Sequence, residues 1–142
     1  MKLVQHLLDT KGGDVISITP EASVFDAIKL MADRAVGSLL VMQGEELIGI
    51  VTERDYARKV ILLGRSSETT RVEKIMSTEI IAASVEQTVQ ECMTLMTEKR
   101  IRHLPVVAGD RVIGLISIGD LVQAIISDQQ QAIEQLENYI SG

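Results

Sequence analysis

The chain repeats itself at a spacing of sixty-five residues, and this internal duplication restricts the folds that it can adopt. The segment Ile48–Asp55 recurs as Ile113–Asp120, with a small hydroxyl residue and an aspartate after the same apolar run in both copies. When residues 14–60 are laid over residues 79–125 without a gap, eleven positions are identical. The duplication therefore predicts two similar units within 142 residues.

A common order of elements can be assigned to both copies from their apolar periodicity. In the first copy a strand is predicted over Val15–Ile18, and Ser23 is placed to cap the helix that follows. Thr88 takes the same place in the second copy. Each copy continues with two strands, joined by a turn that contains Gly44 or Gly109 and suits a tight hairpin, and ends with a second helix.

Three apolar residues at helical spacing precede each copy, here at an offset of sixty-eight, which leaves three extra residues around Lys11-Gly12-Gly13. These residues are Val4, Leu7 and Leu8 before the first copy and Val72, Ile75 and Met76 before the second. The predicted fold class is α/β (α+β), with two tandem β-α-β-β-α repeats and a C-terminal helix. We place repeat one at residues 1–63, a polar linker at 64–71, repeat two at 72–127 and a helical tail at 128–142.

Composition narrows the functional class. A net charge of −6, from 14 basic and 20 acidic residues, argues against a nucleic-acid-binding protein, which normally carries a basic surface. Only three aromatic residues are present, so no platform for stacking bases is expected. The single cysteine, Cys92, can form no internal disulfide, and no apolar stretch is long enough to suggest a membrane span or a signal peptide. We therefore expect a cytoplasmic protein without a membrane partner.

Two motifs of the chain resemble those of a CBS-domain pair, the tandem module named after cystathionine β-synthase. One is the doubled pattern apolar-Gly-apolar-apolar-Thr/Ser-x-x-Asp, and the other is Arg100–Val107, which is similar to the second-strand pattern of the family. The resemblance covers about residues 1–127 and indicates a stand-alone protein of bacterial type. It implies two repeats packed with pseudo-twofold symmetry around a cleft that binds adenosine-containing ligands.

The hydroxyl-x-x-Asp segment also has a physical interpretation of its own. Thr52 follows a strand and opens a helix, where free N–H groups and the positive end of the helix dipole favour a phosphate. Asp55, one turn later, can accept hydrogen bonds from both hydroxyls of a ribose. Ser117 and Asp120 repeat this pair. A helix cap explains the same residues without a ligand, and the two interpretations are compatible.

The resemblance implies that the aspartate binds ribose, that the Thr or Ser meets phosphate, and that adenine enters an apolar slot lined partly by the first strand. The candidate ligands are AMP, ADP, ATP and NAD(H); S-adenosylmethionine is less favoured because phosphate-directed cations would then lack a purpose. The candidate binding residues of repeat one are Ile16, Ile18, Gly37, Ser38, Thr52, Arg54, Asp55, Arg58 and Lys59. Those of repeat two are Ile81, Ala83, Arg102, His103, Leu104, Pro105, Ser117, Gly119 and Asp120.

The two repeats differ in where they carry cations. Arg102 and His103 correspond to Gly37 and Ser38, whereas Arg54, Arg58 and Lys59 correspond to Gly119, Gln123 and Ala124. We therefore expect two unequal sites, one of which binds a phosphorylated adenosine ligand more tightly. His103 is a candidate phosphate donor, although a structural role beside an apolar strand is equally compatible with its position.

An apolar stripe runs along the last predicted helix, through Val122, Ile126, Ile133, Leu136 and Ile140. The stripe is compatible with packing on its own domain and with pairing to a second chain. Members of the CBS-domain family often dimerise, which favours a homodimer.

The sequence as a whole predicts a non-catalytic regulatory module that acts on an unidentified effector protein. It shows no nucleophile with a base, no metal-ligand cluster and no phosphate loop. A structural dimerisation module without ligand is one alternative. An enzyme acting on a bound nucleotide is another, with only Asp, Glu and His103 as candidate catalytic groups. A regulatory fragment of a larger enzyme is disfavoured, because Met1 opens directly on the first helix and the chain closes on the amphipathic tail.

Overall fold

The computed structural model describes residues 2–13 and 15–141, which form two compact units. Residues 15–81 make up the first-repeat unit, and residues 2–13 together with 82–141 make up the second-repeat unit. The helices are α1 (Val4–Lys11), α2 (Val24–Arg34), α3 (Glu53–Tyr56), α4 (Val89–Lys99) and α5 (Ile118–Ser141). The strands are β1 (Ser17–Ile18), β2 (Ser38–Gln43), β3 (Glu46–Thr52), β4 (His103–Ala108) and β5 (Arg111–Ser117).

The first-repeat unit contains a three-stranded sheet in the order β1-β2-β3. β1 pairs parallel to β2, and β2 pairs antiparallel to β3 through a turn in which Gly44 has a φ of 64°. Leu39 and Val51 are cross-strand partners and face α2, so the apolar face of the sheet and the apolar face of the helix form one core. α3 continues as a π-helical turn over Ala57–Ile61.

The second-repeat unit repeats the hairpin with β4 and β5, whose turn places Gly109 at a φ of 62°. Its first strand is reduced to a single parallel bridge between Ala83 and Val106. Cys92 on α4 is fully buried, as expected for a packing residue. Both helix caps predicted from the sequence are present, because the hydroxyls of Ser23 and Thr88 each accept a backbone N–H three residues later.

The segment that precedes each repeat in sequence lies in the unit of the other repeat. In the second-repeat unit the N–H of Val4 donates to the carbonyl of Gln87 over 2.9 Å. In the first-repeat unit the N–H of Val72 donates to the carbonyl of Ala22 over 2.8 Å. The unit boundaries therefore cut across the sequence repeats.

The helical spacing of Val72, Ile75 and Met76 corresponds in the structure only to a 3-10 turn over Val72–Lys74. The chain must extend directly afterwards, because Ser77 exchanges two backbone hydrogen bonds with Ile50 on β3. Apolar spacing alone could not show this competing strand pairing.

α5 is one continuous helix that joins the predicted second helix of repeat two to the predicted tail. Its first turns are anchored in the second-repeat unit by Leu121 and Ala124, which are buried. Within residues 2–13 and 15–141, no helix combines the length and the apolar character that crossing a membrane requires.

A candidate ligand site in each repeat

The first candidate site lies where β3 ends and α3 begins, at Thr52 and Asp55. The N–H and the hydroxyl of Thr52 both donate to Oδ2 of Asp55, over 3.0 and 3.1 Å, and the N–H of Asp55 donates back to the Thr52 hydroxyl over 3.1 Å. The pair is thus a reciprocal helix cap. The cap fixes the carboxylate at the strand end, with 17% of the side chain exposed.

Lys59 forms an ion pair with Asp55. Its ammonium nitrogen Nζ lies 3.2 Å from Oδ1 of Asp55 and donates to the carbonyl oxygen of Ile75 over 2.9 Å. A carboxylate offers about four acceptor positions, and three contacts with Thr52 and Lys59 occupy most of them. A ribose that binds Asp55 must therefore share the carboxylate with Lys59 or displace it.

The second candidate site repeats the cap at the end of β5. The N–H of Ser117 donates to Oδ2 of Asp120 over 2.8 Å, and the N–H of Asp120 donates to the Ser117 hydroxyl over 3.2 Å. The Asp120 side chain is 28% exposed. The sequence prediction that the two repeats share an aspartate in one local geometry is consistent with these contacts.

Lys11 provides the cation at the second site, and the sequence interpretation did not include this residue. Its Nζ lies 2.5 Å from Oδ2 of Asp120 and donates to the carbonyl oxygen of Leu115 over 2.6 Å. Lys11 is the last residue of α1, and Gly13 brings the following loop against β5, where a Cβ would lie 2.8 Å from the carbonyl oxygen of Ile113. In the sequence, the three extra residues around Lys11-Gly12-Gly13 were the only sign that this segment differs from its counterpart before repeat two.

Two titratable groups at the second site depart from their ordinary behaviour. Burial by itself raises the pKa of Asp120, but the hydrogen bonds from Lys11 and Ser117 outweigh it and hold the pKa of this carboxyl below its usual value. Burial is also the main cause that lowers the pKa of His103, helped by the charges of Lys11 and Arg102 and opposed by Asp120. The site therefore contains an ionised carboxylate beside a neutral imidazole at pH 7.

Ser38 and His103 occupy matching positions opposite the two caps. Ser38 is the cross-strand partner of Thr52, and His103 is the cross-strand partner of Ser117, so each pair shares one face of its hairpin. The hydroxyl of Ser38 is buried and has no hydrogen-bond partner among the residues that the structure describes. Buried polar groups are normally satisfied, so this hydroxyl is an open hydrogen-bonding position beside Thr52.

The comparison with known proteins decides the family. The family model of the CBS domain matches residues 7–61 and 72–127, once in each repeat. The chain belongs to the CBS-domain family. The predicted family and the mixed α and β fold are thereby confirmed.

Several relatives of this CBS-domain protein extend over most of its length. It is 40% identical to the CBS domain-containing protein CBSX3, mitochondrial, of Arabidopsis thaliana, with 98% of this chain and 72% of that protein covered. It is 51% identical to a putative signal-transduction protein with CBS domains from Burkholderia ambifaria MC40-6. The match covers 90% of this chain and 96% of that structure, with a TM-score of 0.87.

A more distant neighbour shares the fold alone. The CBS domain pair of protein MJ0100 is 23% identical, with a TM-score of 0.80 over 90% of this chain and 98% of that one. Its crystal structure holds 5′-methylthioadenosine and S-adenosyl-L-methionine.

Two other candidate residues, Gly37 and Arg102, form backbone hydrogen bonds with the helix that follows each hairpin. The carbonyl of Gly37 accepts the N–H of Glu53 over 3.1 Å, and the carbonyl of Arg102 accepts the N–H of Ile118 over 2.9 Å. Each of these contacts uses a first-turn N–H of the helix after the hairpin. Since the N–H of Asp55 or Asp120 is also used within the cap, two of the first three donors are already engaged in both repeats.

The remaining candidate residues fall into distinct environments. Leu104 is fully buried, so its side chain belongs to the core, whereas its strand neighbours His103 and Pro105 face the other side of the hairpin. In repeat one the carbonyl of Ile16 accepts the N–H of Leu40, and Ile18 pairs with Val41 on β2. In repeat two the carbonyl of Pro105 accepts the N–H of Ala83. Ile81 lies in the first-repeat unit. Exposed candidates are Arg54, Arg58, Arg102 and Gly119.

Proposed function

We propose that this CBS-domain protein is a non-catalytic regulatory module whose two repeats bind adenosine-containing ligands, namely AMP, ADP, ATP or NAD(H). The observation that carries the proposal is the hydroxyl and aspartate cap, which occurs at the same hairpin end in both repeats. In this proposal Asp55 and Asp120 accept the two hydroxyls of a ribose.

In this proposal a ribose must displace a lysine from each aspartate. Lys59 and Lys11 hold the carboxylates of Asp55 and Asp120 in the protein without ligand. A ribose diol replaces the ammonium as hydrogen-bond donor, and the released ammonium is then free to pair with a phosphate of the same ligand. This exchange favours phosphorylated ligands over adenosine itself, because a nucleoside offers the displaced lysine no new anion.

In this proposal the phosphates are bound mainly by side chains and less by the N–H groups of the helix end. Two of the first three helix donors in each repeat are already used, which reduces what the helix end alone can offer an anion. The exposed guanidinium groups of Arg54, Arg58 and Arg102 can move toward a bound phosphate and form bidentate contacts. Ser38 offers its unpaired hydroxyl in repeat one, whereas repeat two has the neutral imidazole of His103 in that place.

These differences support the proposal that the two sites are unequal. Repeat one pairs its aspartate with a lysine from the following helical turn, and repeat two with a lysine from α1. Regulation then requires that a ligand prefer one conformation of the protein, which shifts the population toward it and changes the affinity for an effector protein.

A homodimer and a cytoplasmic location complete the proposal. Apolar side chains are exposed at the helical end of each repeat, at Ile61, Leu62 and Leu63 in the first and at Ile118 and Val122 in the second. Contiguous exposed apolar surface is characteristic of an interaction site. A single buried cysteine fits a reducing compartment, although one relative is described as mitochondrial.

A thermal-shift panel tests the proposed ligand class. AMP, ADP, ATP, NAD⁺ and NADH are compared with adenosine, 5′-methylthioadenosine, S-adenosyl-L-methionine and GTP over a concentration series. A specific ligand raises Tm progressively, because stabilisation grows with ligand concentration over Kd. We expect the adenine nucleotides to stabilise the protein and GTP to have no effect. Absence of any shift would favour a ligand-free dimerisation module, and product formation from ATP or NAD⁺ would indicate an enzyme.

A further inference from the structure

The C-terminal extension, residues 129–141, is the exposed last part of α5. The last anchored positions are Ser127 and Asp128, whose side chains lie 3.4 and 3.5 Å from Nζ of Lys2. Every residue from 129 to 141 is exposed. The extension nevertheless continues α5 without a break to Ser141.

A helix of this length gains little stability from its own backbone. The anchored first turns of α5 nucleate the extension, but most helical stability in proteins comes from packing of an apolar face. The extension contains Gln129-Gln130-Gln131 and no basic residue that could form ion pairs with its acidic residues along the helix. Packing of its exposed apolar side chains against a partner surface is therefore the main stabilisation still available to the extension.

The apolar side chains of α5 follow a heptad repeat. Ile126, Ile133 and Ile140 recur every seven residues at the position conventionally called a, and Val122, Gln129 and Leu136 recur at position d. Exposure of the apolar members rises from 43% at Ile126 to 78% at Ile140. In parallel coiled coils, β-branched residues at a with leucine at d favour two strands, and the three isoleucines at a together with Leu136 at d match this pattern.

We propose that the C-terminal extension pairs with that of a second copy of this chain as a parallel two-stranded coiled coil. This proposal rests on the proposed homodimer and specifies its interface. The coiled coil places each a and d residue beside the same residue of the second copy, which covers the exposed apolar stripe.

The charges of the helix favour a second copy as the partner. Residues flanking the stripe are uncharged apart from Glu137: the g positions are Ile125, Ala132 and Tyr139, and the e positions are Gln123, Gln130 and Glu137. In a parallel pair Glu137 faces Ala132 of the second copy, so no like charges meet. Asp128 and Glu134 lie at outer positions, where they would offer a basic partner helix no contact beside the apolar stripe.

Gln129 gives the pair a preferred register. A glutamine amide carries both donors and an acceptor, so Gln129 can hydrogen-bond its equivalent when the two copies are aligned in parallel and in register. A buried polar residue at one core position is a known device for fixing register and strand number at some cost in stability.

Disulfide trapping in the full chain tests the parallel arrangement. Ile140→Cys places a thiol at a core position, and Asn138→Cys places one on the outer face of the same helical turn. The native Cys92 is buried and common to both variants. Under mild oxidation we expect a covalent dimer from Ile140→Cys, formed at least tenfold faster than from Asn138→Cys. Equal rates from both variants would overturn the proposal.

Sedimentation velocity separates the coiled coil from the homodimer in general. We expect the double variant Ile133→Lys/Leu136→Lys to raise the dimer Kd at least tenfold, and Gln131→Lys/Gln135→Lys, with the same added charge on outer positions, to leave it within threefold. A dimer Kd equal to that of the wild type in the first variant overturns the coiled coil and leaves the homodimer standing. A wild-type chain that sediments as a monomer at all concentrations overturns both. Adenine-nucleotide binding to these variants, measured alongside, reports separately on the ligand sites.

Discussion

Nζ of Lys11 lies 2.5 Å from Oδ2 of Asp120, although the two residues are 109 positions apart in the chain. The equivalent aspartate, Asp55, is paired over 3.2 Å with Lys59, only four positions away. Equivalent carboxylates are therefore neutralised by lysines from unrelated parts of the sequence. The two CBS repeats share the carboxylate and differ in the origin of the lysine that pairs with it.

Replacing Lys11 by methionine tests the exchange between lysine and ribose. Lys11→Met removes a competitor for Asp120 and also removes a cation that can pair with a phosphate of the ligand. We expect the ratio of AMP affinity to adenosine affinity at the second site to fall roughly tenfold, as for loss of one charged hydrogen bond. Isothermal titration with both ligands measures this ratio. Lys99→Met, on the exposed end of α4, is the control, and an unchanged ratio in Lys11→Met would exclude a phosphate role for Lys11.

Asparagine in place of each aspartate tests ribose recognition. Asp120→Asn keeps an oxygen that can accept the Ser117 N–H, so the helix cap is retained while the charge is lost. A charged hydrogen bond contributes about 1.5–3 kcal/mol, which predicts at least a roughly tenfold weaker ligand at the second site. Asp55→Asn should weaken ligand binding to a similar extent, but at the first site only. Circular dichroism confirms the fold, and titration of both variants shows whether each substitution affects one class of site or neither.

The pH dependence of stability should show two separate acid steps. The pKa of His103 is lowered in the folded protein, so below the ordinary value of 6.5 the unfolded chain binds a proton that the folded chain resists. The pKa of Asp120 is lowered as well, so its contribution is complete above the ordinary value of 3.8 and is lost as pH falls through the folded pKa. Stability should therefore decrease from pH 7 downward, first through His103.

Urea unfolding between pH 7 and pH 3 measures both steps. His103→Gln should remove the upper step, and Lys11→Met should reduce the lower one because the hydrogen bond from Lys11 helps to lower the pKa of Asp120. A His103→Gln profile that still falls between pH 7 and pH 5 as steeply as that of the wild type would contradict the assignment.

Gly13 and Gly119 should respond to alanine with opposite signs. A Cβ at Gly13 would lie 2.8 Å from the carbonyl oxygen of Ile113, a backbone atom that can yield only if the chain shifts. Overpacking of this kind costs about 1–3 kcal/mol. At Gly119 a Cβ meets only the Ser117 hydroxyl at 3.6 Å, and alanine in a helix is favoured over glycine by up to about 1 kcal/mol. Chemical denaturation of both variants compares the free energies of unfolding.

The sequence predicted those parts of the fold that depend on local patterns. Both hairpins, with glycine at positive φ in their turns, and the caps at Ser23 and Thr88 appear where the pattern indicated. Such features are determined by a few neighbouring residues, which is why a single sequence is sufficient to locate them.

Features that depend on distant packing were missed or only partly predicted. The role of Lys11 requires that α1 pack against β5, and no pattern around Lys11 specifies that partner. Similarly, the pairing of Ser77 with Ile50 overrides the helical spacing of the residues before it. The buried hydroxyl of Ser38 could be recognised as unpaired only once the surrounding atoms were known.

The packing of α1 with the second-repeat unit has a consequence for how this protein can be dissected. Residues 15–81 form one contiguous unit, whereas the second-repeat unit is built from both ends of the chain. Removing the first sequence repeat, residues 1–63, would also remove Lys11 from Asp120 and strip away the helix that contributes Leu7 and Leu8, both buried. Experiments that aim to silence one site should therefore use point substitutions, since excising a repeat damages both sites at once.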